Sequence, residues 1–98
     1  MGDVRFSNAA VQDLRDIEAF SADRFGPAMT AEYLAGLREA LVRLGEHPAI
    51  GGRRDDLLPG IRALRYRSHR IYYGTDQQGV VILRLLHFAR QVRRGMVR

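Results

Sequence analysis

The chain contains no lysine, no cysteine and no tryptophan, and all sixteen of its basic residues are arginine. Without cysteine there are no disulfides, no thiol catalysis and no zinc site built on thiolates, a composition compatible with a reducing cytoplasm. Without lysine there is no ammonium group to serve as a general acid or base. No apolar run approaches the roughly 18 residues of a membrane span. Met1 to Phe6 lacks the charged-then-apolar pattern of a signal segment, so a cytoplasmic protein that makes no membrane contact is expected. Acidic residues are scarce in one half only. From Met1 to Gly52 five arginines face eight Asp or Glu, whereas from Arg53 onward eleven arginines face three Asp and no Glu. The halves are therefore near −3 and +8, for a total of +5. A basic half of this kind points to an acidic partner, either nucleic acid or an acidic protein segment.

Ninety-eight residues predict a single domain, 1–98, with one modest core. The spacing predicts a short strand over Asp3 to Phe6, with Ser7 as the N-cap of the helix that follows. Ala10, Leu14, Ile17, Ser21 and Phe25 form an apolar stripe, with Asp13, Asp16, Glu18 and Asp23 mostly on the solvent side. Gly26-Pro27 breaks the helix and restarts it. Thr30, Tyr33, Leu34, Leu37, Leu41 and Leu44 form the second stripe, and Glu39 with Arg43 is an i,i+4 ion pair. Two helices joined by a tight break predict an antiparallel hairpin. Ala49 to Gly60 reads as a loop. Strands follow over Ile61 to Tyr66, His69 to Thr75 and Val80 to Phe88, the last two joined by a turn ending at Gly79. Arg90 to Arg98 is a basic tail. The class is α+β, in the order β-α-α-β-β-β, a helical hairpin packed on a mostly antiparallel sheet.

The order and spacing of several segments carry a resemblance. They are Phe6-Ser7-x-x-Ala10, Asp13-Leu14-x-x-Ile17, Phe25-Gly26-x-x-x-Thr30-Ala31-x-Tyr33-x-x-x-Leu37 and Leu44 with His47-Pro48-x-Ile50-Gly51. Leu58-Pro59-Gly60-Ile61-Arg62, Ser68-His69-Arg70-Ile71-Tyr72-Tyr73 and Ile82-Leu83-Arg84-Leu85-Leu86-His87 complete the set. Together they resemble the ParE branch of the RelE/ParE superfamily of bacterial toxins, from type II toxin–antitoxin systems. The resemblance implies a cognate antitoxin, a small protein encoded next to the toxin, whose C-terminal segment lies along it. It also implies DNA gyrase as the target, with DNA met only indirectly, and no cofactor. RelE-like relatives instead cut mRNA on the ribosome. Where ParE-like chains often carry an acid shortly after the last-strand histidine, this chain has Gln91.

Two chemistries compete with binding alone. Metal-free RNA cleavage needs a base, an acid and cations around the phosphate. RelE-like enzymes are known for using lysines, arginines and a C-terminal tyrosine, but here lysine is absent and the last tyrosine is Tyr73. Arginine neutralises phosphate but is a poor general base. His69 and His87 could titrate if their strands brought them together. His47, His69 and His87 match no metal-ligand spacing, so neither a catalytic residue nor a metal ligand is assigned. Tyr66, Tyr72 and Tyr73 among arginines suit either a nucleic-acid stacking platform or strand packing. A plain DNA- or RNA-binding module is a third reading, disfavoured by the acidic helices. The expected target contacts are Arg84, His87, Arg90, Arg93 and Arg94, with Arg98 also in the tail. His87, inside the last strand, is expected to serve stability first. The expected antitoxin contacts are Tyr33, Leu37, Arg62, Arg65, Arg70 and Tyr72.

Overall fold

A computed structural model describes residues 3–97. Strand β1 (Asp3–Phe6) leads into a helical segment, Asn8–Glu46, that is interrupted at Gly26. Gly26 has φ 84° and ψ 172°, a conformation that side-chain-bearing residues avoid, and it divides the segment into α1 (residues 8–25) and α2 (residues 27–46). The arms run antiparallel. Near the break Thr30 Oγ1 donates to Ser21 Oγ at 3.0 Å, and further along Leu14 faces Leu34 and Leu41. Ser7 caps α1 by accepting from the Ala10 N–H at 3.0 Å. At the far end the His47 backbone N–H, not its imidazole, donates to the Arg43 carbonyl.

The sheet has five strands in the order β1-β5-β4-β3-β2. β3 (Arg62–Tyr66), β4 (His69–Asp76) and β5 (Gly79–His87) form an antiparallel meander, and β1 pairs parallel to β5. One strand was not expected. Within the loop after α2, β2 (Gly52–Arg53) pairs with Ala63 and Arg62. A two-residue strand leaves no alternation to read in the sequence.

Both faces of the sheet are covered. Ala10, Ile17, Leu37, Ala40 and Leu44 of the hairpin pack against Ile71, Tyr73, Val80, Ile82 and Leu85. On the outer face Leu57, Ile61, Tyr72, Leu86 and Val97 form a second cluster. That cluster corrects the view of the tail as wholly solvated. A single 3-10 turn, Arg94–Met96, lays Val97 onto the sheet at 1% exposure. Three more corrections concern the helices. Phe25 is exposed instead of completing its stripe. Glu39 and Arg43 do not form an ion pair among the described residues. Asp13 is buried, not solvent-facing.

Asp13 completes an edge. β1 pairs with β5 only as far as Ile82. Beyond it the Ser7 N–H donates to the Ile82 carbonyl at 2.9 Å, and Ser7 Oγ donates to the Leu83 carbonyl at 2.9 Å. Asp13 Oδ2 then accepts from the Leu85 N–H at 3.0 Å. The same carboxylate takes a bidentate bond from Arg84, Nε at 2.7 Å and Nη2 at 2.9 Å. The cap residue Ser7 and Asp13 of helix α1 thus supply partners where the edge strand stops.

Candidate functional site

Where the hairpin meets β1, an apolar groove of about 570 Å³ opens to solvent. Val4 and Phe6 come from β1, Val11 and Leu14 from α1, and Leu34, Leu41 and Val42 from α2. Arg15, Arg38 and Glu18 stand on its rim, and neither arginine forms an ion pair among the described residues. Beside the groove lies the outer edge of β1, which carries no neighbouring strand. An apolar floor, a rim of two arginines and one glutamate, and an open edge together suit an amphipathic segment whose acids meet the arginines. Arg15 and Arg38 were not singled out from sequence. The signal was present, since each lies next to a stripe leucine or within one turn of it.

A second cluster lies at the other end of the sheet. Tyr33 Oη and His69 Nδ1 are hydrogen-bonded at 2.6 Å, with Ser68 Oγ 3.2 Å from the same hydroxyl. The register pairs His69 with His87, and their rings meet edge-on with centroids 5.9 Å apart. Burial first, then the neighbouring His87, lowers the pKa of His69 below its usual 6.5. His87 is exposed, and its Nδ1 accepts from the Ala89 N–H at 3.1 Å. Its expected stability role is therefore corrected: it ends the strand and caps a turn. Phe20, Phe25 and Met29, each more than half exposed, lie beside this cluster at the hairpin tip.

The remaining expected contacts are scattered over the fold. Arg84 is engaged with Asp13, and its Nη1 donates to the Met96 carbonyl at 3.4 Å, so it is occupied inside the molecule. Arg90, Arg93 and Arg94 are exposed on the tail, and Arg98 lies outside the described residues. Among the expected antitoxin contacts, Leu37 and Tyr72 are buried at 2% and 1% exposure. Tyr72 therefore packs the outer face and is not a stacking platform. Tyr33 is half-buried against Tyr66 and His69. Arg62 reaches the Gly51 carbonyl at 2.8 Å, holding the loop after α2. Arg65 and Arg70 lie directly opposite each other on β3 and β4. These six do not form one patch. Among the described residues no group of three or more His, Asp or Glu is placed to hold a metal ion. No helix there is long and apolar enough to cross a membrane.

A helical hairpin on such a sheet is the architecture of RelE/ParE-type toxins. The chain superposes on a structure of the chromosomal ParDE toxin–antitoxin system of P. aeruginosa with a TM-score of 0.74, at 21% identity over 89% of this chain and 96% of that one. Against the RelBE2 toxin–antitoxin complex of Mycobacterium tuberculosis the TM-score is 0.60, at 30% identity over 88% and 96%. In sequence it is 33% identical over 91 residues to a toxin ParE1 of M. tuberculosis, covering 92% of this chain and 93% of that protein. It is 34% identical over 83 residues to toxin ParE1 of Caulobacter vibrioides, covering 85% of each. Residues 4–92 match the profile of the family described as ParE toxin of type II toxin-antitoxin system, parDE. The chain belongs to this ParE family and is a toxin of a type II toxin–antitoxin system.

Proposed function

We propose that this toxin arrests growth by binding DNA gyrase rather than by chemistry of its own, and that a cognate antitoxin holds it inactive. The arginine-rimmed groove beside β1 carries the antitoxin part of the reading. An antitoxin helix would lay apolar residues on Leu14, Leu34 and Leu41 and place acids beside Arg15 and Arg38, while an extended segment could add to β1. Ordering such a segment on binding fits an interface of at least ~1,600 Å² in total. The superposed P. aeruginosa and M. tuberculosis structures come from ParDE and RelBE2 toxin–antitoxin systems, which supports the same kind of partner here. The absence of lysine and of any tyrosine after Tyr73 supports action by binding. So does the commitment of Arg84 to Asp13. The action is set in the cytoplasm. Expression alone should stop growth, and co-expression of the neighbouring small protein should restore it. Replacing Arg15 and Arg38 by Glu should leave arrest intact and abolish rescue. Rescue undiminished by that change would refute the groove as the antitoxin's seat.

One observation favours RNA cleavage as a second reading. His69 and His87 do converge, with ring centroids 5.9 Å apart, and Arg90 lines the same cleft. Under that reading His87→Ala would leave a folded protein that no longer arrests growth, and ribosome-bound mRNA would be cut by the wild type only. The gyrase reading expects the mRNA to stay whole with the wild type and with His87→Ala alike.

A further inference from the structure

We propose that Arg65 and Arg70 form a surface for the phosphodiester backbone of duplex DNA. Arg65 and Arg70 are direct cross-strand partners, and like charges in that position destabilise a sheet. Neither belongs to any ion pair among the described residues, whose acidic partners go to Arg5, Arg53, Arg54, Arg67 and Arg84. No acid occurs in the chain after Asp76. The charge of this strand pair is therefore not neutralised by any ion pair among the described residues.

Arg65 is also held in place. Its Nε donates to the Arg67 carbonyl at 2.7 Å, and its guanidinium lies 4.0 Å from the centre of the Phe88 ring. Arg67 turns the β3–β4 hairpin with φ 49°, a left-handed conformation that few residues other than glycine adopt. Backbone strain of this kind collects at functional sites. Here it accompanies the carbonyl that fixes Arg65 and leaves that guanidinium's terminal nitrogens free for an anion. A fixed guanidinium loses less entropy on binding phosphate than a free one.

The surroundings choose among acidic partners. A peptide would need an apolar pocket for its anchors, but the apolar residues of the outer face are already covered by Leu57, Leu58, Met96 and Val97. Single-stranded RNA would need aromatic faces for its bases, and the nearby Phe88 has Arg65 over its ring. What stays exposed is positive charge on a rigid strand pair, which suits a regular phosphate backbone read without regard to sequence.

The inference rests on the gyrase reading only for where the DNA comes from. The test uses free DNA, so its failure and a failure to inhibit gyrase are separate results. Binding of the whole protein to a fluorescein-labelled 20-base-pair duplex of scrambled sequence would be followed by anisotropy over a range of salt. Arg65→Gln/Arg70→Gln should bind at least tenfold more weakly at low salt. Its slope of log K against log salt should be shallower by about 1.8, two phosphate contacts at ~0.9 each. The charge-matched control Arg24→Gln/Arg43→Gln should match the wild type. If the first double variant does not fold, Arg65→Gln alone gives the same decision, with a slope shallower by about 0.9. Binding within twofold of the wild type with an unchanged salt slope would overturn the proposal. So would tighter binding of a single-stranded RNA of the same length, or displacement of the duplex by a 15-residue glutamate peptide at equal charge.

Discussion

Asp13 makes three donors depend on one side chain: two guanidinium nitrogens and a strand N–H. Removing it leaves Arg84 charged and largely enclosed, the costly way to break such a pair. Asp13→Ala should therefore lower stability by about 3 kcal/mol, seen as a lower urea midpoint with an unchanged m-value; a loss under ~1 kcal/mol would show that water replaces the carboxylate. The position hides in the sequence for a physical reason. It lies three residues after Ala10 and one before Leu14, inside the buried stripe, where a carboxylate is ordinarily read as solvent-facing. Only the matching arginine 71 positions later makes its burial sensible. His69 carries a second expectation at this scale. Its lowered pKa means the unfolded chain takes up a proton before the folded one does, so stability should fall as the pH drops below about 6.5. The neighbouring His87, Tyr33, Asp13, Asp16, Glu32, Arg67 and Arg90 face the same clefts. Urea titrations at pH 7.5 and 5.5 should show a smaller loss for His69→Gln than for the wild type. Equal losses would place the effect elsewhere.

The elements were legible where their period is long or their punctuation strong. β1, the Ser7 cap, the break at Gly26-Pro27 and the hairpin after it all follow from local chemistry. So do β3, β4 and β5 to within a residue or two. What could not be read depends on contacts between distant segments: the short β2, the parallel seat of β1 and the docked tail. Gly36 illustrates the limit. In sequence it is an unfavourable residue inside a helix. In the fold any Cβ there would overlap the Tyr66 hydroxyl, which donates to the Tyr33 carbonyl at 2.8 Å and ties α2 to β3. Gly36→Ala should thus destabilise by roughly 1–3 kcal/mol through overpacking, despite its better helix propensity. A raised melting temperature would contradict that packing. The tail divides into two kinds of residue. Replacing exposed Arg90, Arg93 and Arg94 together by Ala should move the melting temperature by only a few degrees while reducing growth arrest. Val97→Asp, which puts a charge into the outer cluster, should cost well above ~2 kcal/mol. Equal thermal effects from the two changes would mean that the tail does not dock.

At the scale of the molecule, charge and apolar surface are sorted to different places. The groove beside β1 is apolar with Arg15, Arg38 and Glu18 on its rim, whereas Arg65 and Arg70 stand opposite each other on β3 and β4, outside every ion pair among the described residues. The basic half was plain from composition, but the meeting of Arg65 with Arg70 was not, because it is made by the register of β3 on β4, and the two rim arginines of the groove come from the acidic half. Two surfaces of different chemistry suit a protein with two partners, an antitoxin that neutralises it and a target that it disables. The tyrosine–histidine cluster shows the same gap between sequence and site. His69 and His87 were visible as residues, but their meeting depends on one strand register. That meeting keeps RNA cleavage as the rival account, and the rival is decided by the target. The most direct measurement is therefore DNA supercoiling by purified gyrase with increasing amounts of this toxin. Supercoiling should fall in a dose-dependent way, broken DNA trapped on the enzyme should accumulate, and added antitoxin should reverse the effect. Undisturbed supercoiling by a folded toxin that still arrests growth would contradict the account.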